Sequence, residues 1–110
     1  MWRVDALLRA IAEPNRRAIL LLVRDREMTA GAIAARFDVT RPAISQHLAV
    51  LREAGLIDER RDGVRRWYRA RPAGVADLRA WLEAFWDDGL GRLKTEAEQE
   101  ARDVRRRTPD

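Results

Sequence analysis

The segment TRPAISQH, residues 40 to 47, gathers a guanidinium, two hydroxyls, a carboxamide and an imidazole at Arg41, Thr40, Ser45, Gln46 and His47. A second cluster follows in RRDGVRRWYRAR, residues 60 to 71, where Arg60, Arg61, Arg65, Arg66, Arg69 and Arg71 face only Asp62, a net of +5. Guanidinium groups bond phosphate or guanine through two parallel N–H donors, and a carboxamide pairs in the same way with adenine. Catalysis and metal binding need other sets. His47 is the only histidine and cysteine is absent, so no convergent donor set for a transition metal exists. Ser45 and His47, two apart, point in different directions on a helix, which argues against a hydrolytic pair. No glycine-rich phosphate loop is present. His47 reads as a satisfied structural histidine, and the chain as a non-enzyme without metal or cofactor.

These side chains need elements to hold them. Ile44, Leu48 and Leu51 recur at i, i+4 and i+7, which predicts a helix burying that face, with Thr40 as its cap and Gly55 as its stop. At about 100° per residue the opposite arc holds Pro42, Gln46, Ala49 and Glu53, with Arg41 and Ser45 on one flank. Ahead of it, Thr29 caps a short helix in AGAIAARF. After Gly55 the period changes, and LIDER, Asp62-Gly63 and VRRWYRA read as a hairpin. With Asp62-Gly63 central, Arg61 faces Val64, Glu59 faces Arg66 and Ile57 faces Tyr68. Trp67 and Tyr68 are placed to pack the hairpin onto the helices rather than to stack on bases. Helix, turn, helix and arginine-bearing hairpin together make a mainly α chain with a small β-hairpin, a winged helix-turn-helix.

In that architecture the second helix of the pair enters the major groove. Thr40, Arg41, Pro42, Ser45 and Gln46 form its recognition segment, with Arg41 reaching guanine or phosphate and Gln46 adenine; Thr40 serves chiefly as cap. The wing residues are Arg60, Arg61, Arg65, Arg66 and Arg69, with the main contacts from Arg61, Arg65 and Arg66, although Glu59 competes for Arg66. A winged-helix protein-interaction module or antirepressor, using the same scaffold without operator recognition, is the alternative.

The remaining sequence concerns pairing. The 110 residues carry 22 basic and 18 acidic side chains, but residues 1 to 71 have 15 and 9, a net of +6, against 7 and 9 beyond. An anion-binding front is thus joined to another kind of surface. Val4, Leu7, Leu8 and Ile11 stripe a first helix, Pro14 starts a second, and Leu78, Trp81, Leu82, Phe85, Trp86, Leu90 and Leu93 form a wide apolar band in a late one. The band exceeds the needs of one small core, so a homodimer interface is expected from Leu7, Leu8, Ile11, Leu78, Trp81, Leu82, Phe85, Trp86 and Leu90. One domain is expected over 1–100, followed by a charged, frayed tail at 101–110. No signal peptide or spanning segment is visible, giving a cytoplasmic expectation.

EPNRRAILLLV and VTRPAISQHLAVLREAGLIDERRDGVRRWYR resemble the ArsR/SmtB family of winged-helix repressors, over roughly residues 5 to 93. The resemblance implies a homodimer on an imperfect palindromic double-stranded operator, repressing its own or a neighbouring operon, with the subunits joined by terminal helices. The LRAWLEAFWDDGL ending is similar to the metal-independent branch. Glu13 stands where an aspartate cap is common and Arg26 where glycine is common. The cysteine pair of metal-responsive members is missing from TAGAIAA, and Asp77, Glu83, Asp87 and Asp88 have no histidine beside them. The family's usual metal-induction mechanism therefore does not carry over.

Overall fold

A computed structural model describes residues 2–85 and 91–107 of the chain. Helix α1 spans Trp2–Ile11 and α2 Pro14–Leu22; a short strand β1, Met28–Thr29, leads into α3, Ala30–Ala34. Helix α4 spans Arg41–Glu53, strands β2 and β3 span Ile57–Asp62 and Arg65–Ala70, and α5 and α6 span Pro72–Phe85 and Gly91–Arg107. Contacts divide the chain into two compact units, Met1–Leu78 and Arg79–Asp110.

Local chemistry starts and stops the first unit's helices where polar backbone groups would otherwise be orphaned. Glu13 caps α2, its carboxylate accepting the Arg16 amide at 2.9 Å with Pro14 just inside the helix. Thr29 and Thr40 cap α3 and α4 by accepting the amides of Ala32 at 3.1 Å and Ala43 at 3.2 Å. The end of α1 is closed from outside. Arg16 Nε donates to the Ala10 carbonyl at 2.6 Å, and Arg17 Nη1 to that of Ile11 at 2.8 Å. Gly55 follows α4 with φ of +82°, a conformation that strains any residue with a Cβ.

The core is one apolar cluster. Leu7 and Ala10 of α1, Ile19 of α2, Ile33 of α3 and Ile44, Leu48 and Leu51 of α4 meet Leu56, Ile57, Tyr68 and Leu78. The expected inner face of α4 is therefore the observed one. Leu7 and Leu78, expected at a subunit interface, are buried in this core instead, because helical spacing turns Leu7 inward with Ala10. Leu8 and Ile11 are half-buried against the same cluster.

The sheet differs from expectation twice. It has three antiparallel strands in the order β1-β3-β2, since Met28 and Thr29 pair with Tyr68 and Trp67. A two-residue strand is too short to leave a period-two signature. The hairpin turn is Gly63-Val64 rather than Asp62-Gly63, so Asp62 faces Arg65, Arg61 faces Arg66 and Glu59 faces Tyr68. Gly63 has φ of +64° and Val64 does not share the positive sign, the pattern of a type II′ turn with glycine in first place. The shift is two residues, an even number, so every side chain stays on its expected face.

Within the second unit, Trp81 and Phe85 stack with ring centroids 5.4 Å apart, while Leu82 and Phe85 are about half exposed. Helix α6 continues to Arg107 where a frayed tail was expected from residue 101. Pairs one turn apart run along it, including Lys94–Glu98 at 3.8 Å, Asp103–Arg106 at 3.4 Å and Gln99–Asp103 at 3.1 Å. Trp86 and Leu90, also expected at the interface, lie outside the described residues.

One crossing fixes the frame around α4. Gly74, in the first turn of α5, is buried against the backbone of Gly55 and Leu56, and a Cβ there would fall inside the Gly55 carbonyl oxygen. Gly74→Ala should lower unfolding free energy by about 3 kcal/mol, the upper range for overpacking. Urea denaturation checks this, and an unchanged midpoint would contradict the crossing.

Candidate nucleic-acid interface

The buried arc of α4 decides what the rest of the helix presents. Arg41, Pro42, Ser45, Gln46 and Glu53 are all exposed. Thr40 is also exposed, with its hydroxyl oxygen engaged by the Ala43 amide. His47 faces the other flank, where Nδ1 lies 3.5 Å from Arg16 Nη1 and Nε2 lies 3.8 Å from the Glu13 carboxylate. It ties α4 to the start of α2 and is thereby removed from the outer face. Burial pushes the Glu13 carboxyl up, but the Arg16 and Asn15 amides, His47 and the Arg16 charge outweigh it and hold the group below its ordinary range.

The hairpin divides its arginines between two faces. Arg61 and Arg66 share the face of Ile57, Glu59, Tyr68 and Ala70, while Arg60, Arg65 and Arg69 alternate onto the other. Arg60 is taken up by Glu27, just before β1: Nε donates at 2.8 Å and Nη2 at 3.1 Å to the two carboxylate oxygens. Its guanidinium also lies 5.7 Å from the Trp67 ring centroid. Arg60, expected as a wing contact, braces the base of the wing against the strand that enters α3. The Arg60 hydrogen bond is the chief cause holding the Glu27 carboxyl below its ordinary range. Tyr68 is buried and Trp67 half-buried, as packing residues rather than a stacking platform.

Between the start of α4, α3 and the wing lies a cleft of about 740 Å³, lined by Thr29, Gly31, Arg41, Ser45, Arg65, Arg66 and Trp67 among others. Arg41 folds across the open side of Gly31, where a Cβ would meet its guanidinium at 3.6 Å. The structure thus brings Arg41 and Ser45 of the recognition segment to Arg65 and Arg66 of the wing, while Gln46 points away from the cleft side of the helix.

Two residues beside the candidate site carry no role in the sequence pattern. Arg52 falls on the Arg41–Ser45 flank at i+11, and Glu27 has no signal short of the β1–β3 pairing. Among the described residues no group of three or more His, Cys, Asp or Glu side chains could hold a metal ion, and no helix is long and apolar enough to cross a membrane.

A helix pair, an arginine hairpin and a third strand at its edge define a winged helix-turn-helix protein. A helix-turn-helix domain family model matches residues 11–60. The HTH-type transcriptional regulator Rv2034 of Mycobacterium tuberculosis is 41% identical over 86 residues, 78% of this chain and 80% of that protein. The transcriptional repressor SdpR of Bacillus subtilis is 36% identical over 78% of this chain and 96% of its own length. A solved possible transcriptional regulator for arsenical resistance superposes with TM-score 0.73 at 48% identity, covering 82% of this chain and 94% of that one. A Mycobacterium bovis homodimeric winged helix-turn-helix DNA-binding domain, a possible ArsR-family regulator, gives 0.64 at 32% identity over 80% and 82%. The chain belongs to the ArsR family of transcriptional regulators.

The Glu27–Arg60 brace has a pH signature. A carboxyl whose folded value lies below 4.5 contributes stability that is present above that value and is lost as pH falls through the folded value. The stability difference between the natural chain and Glu27→Gln should therefore be widest near neutrality and shrink in acid below pH 4.5. Denaturant titrations at a series of pH values check it; a difference independent of pH would contradict the brace.

Proposed function

We propose that this chain is a homodimeric repressor that binds an imperfect palindrome in double-stranded DNA and blocks transcription of its own or a neighbouring operon. The observation that carries the reading is the segregation of α4: one arc is locked into the core and the other offers exposed Arg41, Ser45 and Gln46 beside an arginine-rich hairpin. Arg41 and Gln46 read base edges, Ser45 bonds a base or phosphate, and Arg61, Arg65, Arg66 and Arg69 of the wing engage the backbone or minor groove. Two copies related by a dyad place their α4 helices about one DNA turn, roughly 34 Å, apart. Occupancy excludes polymerase sterically.

The dimer surface draws on the side chains that α5 leaves outside the core. Leu82 and Phe85 are about half exposed, with Phe85 stacked on Trp81, and such area is unfavourable in water without a partner. Relatives of this family are named both as repressors and as homodimers, which supports the reading. Metal-thiolate induction is not part of it, because the chain has no cysteine.

Selection of duplexes from a random pool should enrich a two-fold-related sequence, and no enrichment at moderate salt would overturn the proposal. Arg41→Ala or Gln46→Ala should change the selected sequence, whereas Arg65→Ala should weaken all duplexes alike. Leu82→Glu combined with Phe85→Glu should shift sedimentation toward the monomer and abolish cooperative operator binding. A full-strength dimer in that variant would move the interface elsewhere.

A further inference from the structure

Strand register sets an electrostatic problem in the wing. Arg61 and Arg66 are directly opposed in the β2–β3 ladder, and like charges so placed repel. Their relief is Glu59, two residues from Arg61 and on the same face. One oxygen of its carboxylate lies 3.4 Å from Arg66 Nε and 3.7 Å from Arg61 Nε. The other accepts from Nη1 of Arg52, in the last turn of α4. The carboxylate is almost enclosed, its side chain 9% exposed, whereas the three arginine side chains are about half exposed or more. One largely enclosed anion therefore gathers three outward-facing cations from three elements, α4, β2 and β3, and the cluster retains a charge of +2.

We infer that Arg52, Arg61 and Arg66 form a seat for one DNA backbone phosphate, with Glu59 as the positioning residue that assembles it. The inference rests on the proposed docking of α4 in the major groove and the wing in the neighbouring minor groove. Those two grooves are separated by a single sugar-phosphate strand, which must pass between helix and wing. The flank of α4 that carries Arg41, Ser45 and Arg52 is the flank facing the hairpin, so the passing strand meets this cluster. A phosphate leaves +1 on the four side chains. Glu59 stays bound throughout, since it holds the guanidiniums from beneath while their outer N–H donors turn to the ligand. Arg52 becomes a backbone contact at the far end of α4 from the recognition segment. Glu59 acts through the arginines and touches no DNA.

The test compares affinity against salt concentration for the selected operator duplex and for a random duplex of equal length. Arg52→Gln should weaken both by the same factor and reduce the slope of log affinity against log salt by about 0.9, the value for one lost phosphate contact. Arg52→Lys should keep most of the slope. Glu59→Gln, fully folded by circular dichroism, should weaken both duplexes by a common factor although it removes a negative charge, and Glu59→Asp should recover part of the loss. A natural slope and affinity in Arg52→Gln would overturn the seat. So would unchanged or tighter binding of both duplexes by Glu59→Gln, the outcome expected if the carboxylate only subtracts charge from the wing. If the natural chain binds neither duplex, the repressor reading itself fails; if it binds and Arg52→Gln matches it, only the phosphate seat does.

Discussion

Helix α4 can bury only one arc, and that constraint organises everything around it. Ile44, Leu48 and Leu51 are sealed in the core, each such side chain gaining about 2 kcal/mol by leaving water. With that arc fixed, rotation about the helix axis is no longer free. Gln46 and Pro42 must face out, Arg41, Ser45 and Arg52 must line the side toward the hairpin, and His47 must lie toward α2. The Arg16 and Glu13 contacts of His47 and the Gly74–Gly55 crossing secure the same rotation. The proposed base reading needs that rigidity, because a rotation of one residue would replace the Gln46 carboxamide with the His47 imidazole in the groove.

The arginines are less alike than their spacing implies. A wing made only of cations would repel itself, and the structure resolves this by spending carboxylates selectively. Glu27 takes Arg60 bidentately, a geometry that restrains orientation as well as charge. Glu59 is shared among three guanidiniums and so satisfies none of them fully. Asp62 sits opposite Arg65 at the tip. Arg60 is thus committed to the fold while Arg61 and Arg66 keep donors for a ligand. A net charge summed over residues 60 to 71 cannot express that division.

Much of this was legible in the sequence because it depends on short-range periodicity. The α4 arc, the caps at Thr29 and Thr40, the stop at Gly55 and the alternation of hairpin faces all follow from spacing and from what each side chain can bond. The failures share a physical origin in contacts between distant segments. Glu27 and Arg60 are brought together by a two-residue strand that periodicity cannot detect. The turn at Gly63-Val64 displaced the register because both Asp-Gly and a leading glycine suit a tight hairpin, and local sequence does not choose between them. Leu7 and Leu78 belonged to apolar stripes whose inner and outer members look identical until the neighbouring helices are in place. Helix α6 persists through its charged end on pairs one turn apart, which a reading of composition averages away.

The size of the recognition surface argues for two copies. A single α4 offers Arg41, Ser45 and Gln46, and a good bidentate base contact discriminates by about 1–3 kcal/mol. Operator specificity over random DNA is typically about 4–10 kcal/mol, and two bidentate contacts, from Arg41 and Gln46, reach only its lower part. Enlarging the surface is not open to α4, whose other arc is already committed to the core through Ile44, Leu48 and Leu51. Duplicating it is, and the exposed Leu82 and Phe85 provide apolar area that gains by being covered. Pairing then converts the second half-site encounter into an intramolecular one, so the contacts of both copies add without new chemistry in either. On the proposed reading, the exposed Leu82 and Phe85 thus become the means by which Arg41, Ser45 and Gln46 of two copies discriminate between DNA sequences.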